Sequence, residues 1–129
     1  MSEKFTDRIY PRIIKLWEAC FNHPFVQEMG NGSLDLDKFK HWIKQDYVYL
    51  IEYARLFAIG TSKAADLETM NSFAKGLDGV LFMEMDLHRS YAKDFSINED
   101  ELEATEPSAI NTAYTCLLYT SDAADDLLC

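Results

Sequence analysis

Residues 35–62 read DLDKFKHWIKQDYVYLIEYARLFAIGTS, and this stretch decides the fold. Phe39, Trp42, Ile43, Tyr49, Leu50, Tyr53, Leu56 and Phe57 return at three- and four-residue steps, the period of one helix face. Asp35 offers a side-chain oxygen to cap the first turn, and Asp37 suits the positive end of the helix dipole. The spacing predicts a helix from Asp35 to about Ser62, spanning roughly 40 Å at about 1.5 Å per residue. So broad an apolar face has to be buried against other helices.

The flanking sequence supplies them. Upstream, Phe5, Ile9, Ile13, Leu16 or Trp17, and Cys20 repeat at helical spacing, predicting an amphipathic helix to about Phe21 that Pro11 must start or kink. His23-Pro24-Phe25-Val26 through Gly30-Asn31-Gly32 reads as a short helical turn closed by a glycine corner. Downstream, Asp66 caps a segment with Leu67, Met70, Phe73, Leu77, Leu81, Met85, His88, Tyr91 and Phe95 on or near its buried face. Gly76 and Gly79 each cost about 1 kcal/mol inside a helix, so they mark a kink or a close crossing. Ser96 with Glu99 resembles a capping box for a short acidic helix, and Pro107-Ser108 opens another that carries Tyr114. No run alternates strictly and none is β-branched between turns, so the fold class is all-α, helix packed on helix.

Composition narrows the function. The 129 residues, 48% hydrophobic, have the size of one domain with one core. No stretch approaches the roughly 20 apolar residues of a membrane span, and Met1 to Phe5 leads into a charged amphipathic pattern rather than a signal peptide. The expected address is the cytoplasm. A net charge of −10 without a basic patch excludes nucleic acid and anionic membrane as partners. Cys20, Cys116 and Cys129 lack metal-type spacing and are an odd set, as in a reducing compartment.

Asp46 is the residue that asks for chemistry. It lies one turn from Trp42, one from Tyr49 and Leu50, and two from Tyr53, and so shares an apolar face. A carboxylate taken out of water costs several kcal/mol unless a cation or hydrogen-bond donors meet it. Spacing leaves two readings open. One is an internal salt bridge or a half-exposed edge position. The other is a carboxylate that accepts paired N–H donors from a planar, amino-substituted ring lying against Tyr49, Tyr53 or Tyr114. Glu84 and His88, four apart, have a spacing that suits a metal or proton transfer, or a surface glutamate beside a core-edge histidine. His23 reads as a helix cap, His41 sits among Lys38, Lys40 and Lys44 on the wet face, and Cys20 reads as a packed thiol.

The run His23-Pro24-Phe25-Val26, Gly32-x-Leu34, Phe39 and Gln45-Asp46-Tyr47-x-Tyr49-Leu50 resembles the TenA (thiaminase II) family. Glu84, Leu87-His88-Arg89 and Pro107 to Ala113-Tyr114-Thr115 continue the resemblance in order, over nearly all of residues 5–115. It implies a heme-oxygenase-like helical bundle that binds no heme and needs no metal or cofactor. It further implies a homotetramer acting in thiamin salvage, converting an aminomethyl-pyrimidine to hydroxymethyl-pyrimidine, with thiamin itself cleaved by some members. Carried over by motif, Asp46 binds the ring nitrogen and 4-amino group, while Tyr49 and Tyr114 line the pocket; Tyr53, Glu84 and His88 are weaker candidates. The family's nucleophilic cysteine and late glutamate have no counterpart here, and Cys20 matches neither motif. Two other readings stay open: a di-iron oxidase using Glu84 and His88, whose further ligands cannot be assigned in residues 1–115, and a non-catalytic pyrimidine-binding or regulatory member.

Residues 116–125, CLLYTSDAAD, resemble an in-frame translation of a sequencing-library adapter. The expectation is a family domain over 1–115, its N-terminal part, followed by a non-native tail over 116–129. The bundle is then truncated, the fragment inactive, and apolar faces meant for missing helices exposed. Asp122, Asp125 and Asp126 fall in that tail, and the remainder stays acidic.

Overall fold

A computed structural model describes residues 4–120, and among them helices account for nearly all the structure and no strand occurs. The chain divides into two compact units, Met1–Lys38 and Phe39–Cys129. None of the described helices is long and apolar enough to cross a membrane.

The first unit holds α1 (Phe5–Phe21) and α2 (Pro24–Asn31). Pro11 lies well inside α1, neither starting it nor ending it. Its missing N–H leaves the Asp7 carbonyl without the usual i+4 donor. His23 caps α2 as expected: its Nδ1 accepts the Phe25 N–H at 3.2 Å, with Pro24 in the first turn, where no N–H is needed. Gly32 closes α2 in the left-handed region at φ 77°.

The second unit is built on α3 (Leu36–Lys63), which Asp35 caps by accepting the Asp37 and Lys38 N–H groups at 3.0 and 3.3 Å. Ile43, Tyr47, Leu50 and Ala54, in steps of four, three and four, are its buried residues. Trp42, Asp46, Tyr49 and Tyr53 follow the same steps one position earlier and are only half-buried. The helix thus carries two adjacent stripes, one for the core and one at its edge. Tyr47, outside the expected stripe, is its most deeply buried ring, and its phenol raises the pKa of the Arg89 guanidinium.

Next come α4 (Leu67–Asp78), a π-helical segment (Gly79–Glu84) and α5 (Met85–Asp94). Asp66 accepts the Thr69 N–H at 2.8 Å, the expected cap. The buried residues here are Val80, Met85 and Ala92. Five residues separate the first two, which in a regular helix would set them about 140° apart. The π turn absorbs the extra residue and keeps both in the core. Leu81, expected to be buried, is half-exposed in a groove beside Leu50, Ala54 and Met85, and Leu67 and Tyr91 are exposed.

The glycines separate into the two expected roles. A Cβ on Gly60 would stand 2.6 Å from the Phe73 ring, and one on Gly76 would collide with Phe57, so α3 and α4 cross by reciprocal glycine–phenylalanine contacts. Gly79 meets nothing and instead opens the π segment.

Beyond α5, Ser96 adopts φ 60° and donates its N–H to the Lys93 carbonyl, while Ile97 donates to Ala92 at 2.8 Å. Ser96 therefore closes α5 rather than capping the next helix. Asn98 does that, accepting the Glu101 N–H at 2.8 Å at the start of α6 (Glu99–Glu103). The last element, α7 (Ala109–Thr120), begins where Ser108 Oγ accepts the Asn111 N–H at 3.2 Å. It runs past Thr115, and Tyr119 donates from its hydroxyl to a Glu52 carboxylate oxygen at 2.6 Å. The rest of the segment expected to be non-native, 121–129, lies outside the described residues. Large apolar side chains stay uncovered, including Phe82, Met83, Ile110 and Leu117.

The crossing predicts opposite outcomes for two alanine substitutions. Gly76→Ala gains up to about 1 kcal/mol of helix propensity but drives Phe57 out of place, at about 1–3 kcal/mol for overpacking, and should be destabilising. Gly79→Ala has open space and should be neutral or stabilising. Urea unfolding of both variants checks the contrast.

Candidate functional site

The half-buried stripe of α3 forms one wall of an open groove of about 350 Å³, lined on that side by Trp42, Gln45, Asp46 and Tyr49. The facing wall comes from the start of α7: Ser108, Ile110, Asn111 and Tyr114. Gln45 holds the walls together. Its Nε2 donates to the Glu106 carbonyl at 3.0 Å, and its Oε1 accepts the Ser108 N–H at 2.8 Å. Asn111 Nδ2 donates to the Gln45 carbonyl at 2.8 Å. A single side chain therefore ties the approach to α7 against the turn of α3 that carries Asp46.

The aromatic groups follow. Tyr49 and Tyr114 rings lie 5.9 Å apart with planes inclined by 32°, and Tyr53 stacks on Tyr49 at 5.4 Å. Tyr53 does not line the groove; it supports the ring that does. Burial, then the neighbouring Tyr114, Tyr53 and Asp46, push the Tyr49 pKa up to about 12. Tyr49 is thus a neutral phenol, suited to stacking and hydrogen bonding and not to removing a proton.

Asp46 meets a partner from α5. His88 Nε2 lies 2.7 Å from Asp46 Oδ2, and His88 Nδ1 lies 3.0 Å from the Glu84 carbonyl. The His88 side chain is 12% exposed and that of Asp46 28%, so the histidine is enclosed while the carboxylate keeps an open side. The hydrogen bond to Asp46 raises the His88 pKa against the opposing effect of burial.

The sequence-derived candidates are thus partly assembled. Asp46, Tyr49 and Tyr114 line one groove, with His88 behind the carboxylate and Tyr53 behind the ring. Glu84 is different: its side chain is exposed, and its backbone carbonyl serves the histidine. Among the described residues, no group of three or more His, Cys, Asp or Glu side chains is placed to hold a metal. Cys116 is exposed and does not line the groove, and Cys20 is exposed on α1. The residues missed from sequence were Gln45 and Asn111. Their only signal was the position of Gln45 beside Asp46, because their partners lie more than 60 residues apart in the chain.

The sequence profile of the TENA/THI-4/PQQC family matches residues 10–128. The chain belongs to this family. A relative from Halalkalibacterium halodurans named aminopyrimidine aminohydrolase is 55% identical over 111 residues, covering 86% of this chain and 50% of its own. The aminopyrimidine aminohydrolase of Bacillus subtilis is 37% identical, covering 92% of this chain and 50% of its own. Among solved structures, a protein described as a TenA family transcription regulator from Silicibacter sp. TM1040 superposes with a TM-score of 0.85 at 28% identity, over 93% of this chain and 55% of that one. The TenA homologue of P. horikoshii OT3 gives 0.83 at 27% identity, over 92% and 57%. The chain spans about half the length of the curated relatives it matches. The expected family and its all-helical fold are therefore found.

The raised His88 pKa has a consequence for stability. A group whose folded pKa lies above its unfolded value of 6.5 contributes stability that is fully present below that pH and lost as pH rises through the folded value. The excess unfolding free energy of the protein over His88→Gln, measured in urea, should therefore shrink as pH climbs through that window. A gap that stays constant would show that folding leaves the His88 pKa unshifted, and one that widens would show a pKa lowered in the fold.

Proposed function

We propose that this protein is an aminopyrimidine aminohydrolase of thiamin salvage, and that the groove holds the pyrimidine ring. The observation that carries this reading is the Asp46 carboxylate, open on one side between an aromatic wall and the polar start of α7. An amino-substituted ring presents in-plane N–H groups to a carboxylate and a flat face to Tyr49 and Tyr114. Binding then fixes which ring atom faces the rest of the site. The reaction replaces the amine of an aminomethyl-pyrimidine by hydroxyl, consuming water and releasing ammonia; thiamin, which carries the same pyrimidine, is a second substrate.

The described groove residues provide no thiolate. The family resemblance calls for a nucleophilic cysteine and a late glutamate, which we place outside residues 4–120. On this reading, attack by the thiolate at the activated pyrimidine, loss of the protonated amine and hydrolysis follow ring binding. A cytoplasmic homotetramer is the proposed working form. A second reading is a member that binds the pyrimidine without turning it over. The di-iron reading has no support in the described side chains.

The test is titration of the protein with 4-amino-5-aminomethyl-2-methylpyrimidine, followed by calorimetry. Asp46→Asn keeps the shape but replaces a charged acceptor, and should weaken binding by at least about tenfold. Undiminished affinity in that variant would remove the role given to Asp46. Ammonia release by a chain of the relatives' full length separates hydrolase from binder.

A further inference from the structure

We propose that His88 is a positioning residue that holds Asp46 as a carboxylate with its second oxygen turned to the groove, so that the groove selects rings whose amino-substituted edge carries a proton on the ring nitrogen. The ligand half of this proposal rests on the reading that the ring binds at Asp46.

The argument is a count of protons. The Glu84 carbonyl can only accept, so His88 Nδ1, 3.0 Å away, carries a hydrogen. A neutral imidazole has one N–H, which would leave a lone pair on Nε2 facing Asp46 Oδ2 at 2.7 Å. Two lone pairs do not sit at that distance, so a second proton lies between them. Imidazole is a stronger base than a carboxylate by about two to three pH units, and the proton therefore rests on His88. The pair is imidazolium and carboxylate, and Oδ2 is engaged.

Oδ1 is what remains. Among the described residues it has no hydrogen-bond partner, and Asp46 lines the groove. The groups that face it are few. From its own helix come Trp42, Gln45 and Tyr49, the last a neutral phenol; from α7 and its approach come Ser108, Ile110, Asn111 and Tyr114, none of them an acid or a base of the Asp, Glu, Lys or Arg kind; from α5 comes His88, with Glu84 exposed one turn before it. A neutral aminopyrimidine presents one donor, the exocyclic N–H, beside an acceptor, the ring nitrogen, and the acceptor would face a carboxylate lone pair. With the ring nitrogen protonated, the same edge presents two parallel donors, the amidinium pattern that a carboxylate binds best. Asp46 has lone pairs enough to accept both and still hold His88. The ring proton arrives with the ligand, because the His88 proton that faces Asp46 is engaged with Oδ2.

The experiment has one arm without ligand and one with it. In the first, ¹⁵N NMR of the His88 ring at about pH 7.5, above the ordinary histidine range, should show both nitrogens protonated. A neutral ring there would overturn the proposal while leaving ring binding untouched. In the second, benzamidine, permanently an amidinium, is compared with benzamide, a neutral molecule of the same shape. Benzamidine should bind at least about tenfold tighter. Equal affinities, or a preference for benzamide, would mean that Asp46 itself offers a proton and would overturn the proposal. Binding of neither probe would overturn the ligand half together with the ring-binding reading, a result distinct from a neutral His88. His88→Leu should lower benzamidine affinity and His88→Gln, which retains a donor toward Oδ2, should restore most of it; unchanged affinity in the leucine variant would remove the positioning role.

Discussion

Asp46 and His88 meet across two helices, and their bond exists only because three separate arrangements agree. The carboxylate has to leave α3 one position off its buried stripe. The histidine has to leave α5 on the inward face, and its other nitrogen has to be fixed so that the ring cannot turn. The first is met by the phase of α3, where Ile43, Tyr47, Leu50 and Ala54 fill the core while Trp42, Asp46, Tyr49 and Tyr53 flank it. The third is met by the Glu84 carbonyl on Nδ1. A fully buried carboxylate would cost several kcal/mol unless paired, whereas at the edge of the core the same group keeps one side exposed and a histidine hydrogen bond on the other.

The second arrangement depends on the π segment. Had Gly79–Glu84 continued as a regular helix, Glu84 would lie about 40° from the direction of Val80 and turn toward the core. The wider turn places Met85 there instead, and His88 follows three residues later on the same side. The price in stability of a π turn is thereby matched by a function: it exchanges a glutamate for a methionine in the core and aligns the histidine with its partner. Phe82 and Met83 are exposed on this segment, whereas Leu81 lines an apolar groove with Leu50, Ala54, Leu77 and Met85.

The helical fold was legible because long apolar periodicity and helix caps are local properties. Asp35, Asp66, His23 and Gly32 terminate helices where their chemistry requires, and Gly76 sits at a crossing as its cost implied. Asp46 and Tyr49 were legible for the same reason, being neighbours on one helix. The identity of Asp46's partner was not. Sequence spacing joined His88 to Glu84 four residues away, but the side chain reaches 42 residues back, through a change of helical phase that periodicity cannot register. The role of Gln45 was not legible, although the residue belongs to the family-like motif, because an amide on a half-buried stripe looks like a surface residue until its partners at Glu106, Ser108 and Asn111 are in place. Ser96 illustrates the opposite error: a serine three residues before a glutamate fits a capping box, yet the end of α5 claims it in a left-handed turn and leaves the cap to Asn98.

The groove that results is electrostatically simple. Around Asp46 among the described residues stand phenols, an indole, two amides and a hydroxyl, with His88 already committed to Oδ2. Area and orientation are therefore supplied by different groups. The tyrosine faces offer contact to any flat ring and discriminate little among them. A single carboxylate oxygen, fixed in direction by His88, sets which edge of that ring is acceptable. Gln45 links the two functions, since it anchors the approach to α7 on the very turn of α3 that bears Asp46. Movement of α7 would carry Tyr114 away from Tyr49 without disturbing the carboxylate, so contact area can be lost while selectivity persists. Loss of His88 would do the reverse, leaving the aromatic wall in place around a carboxylate free to rotate.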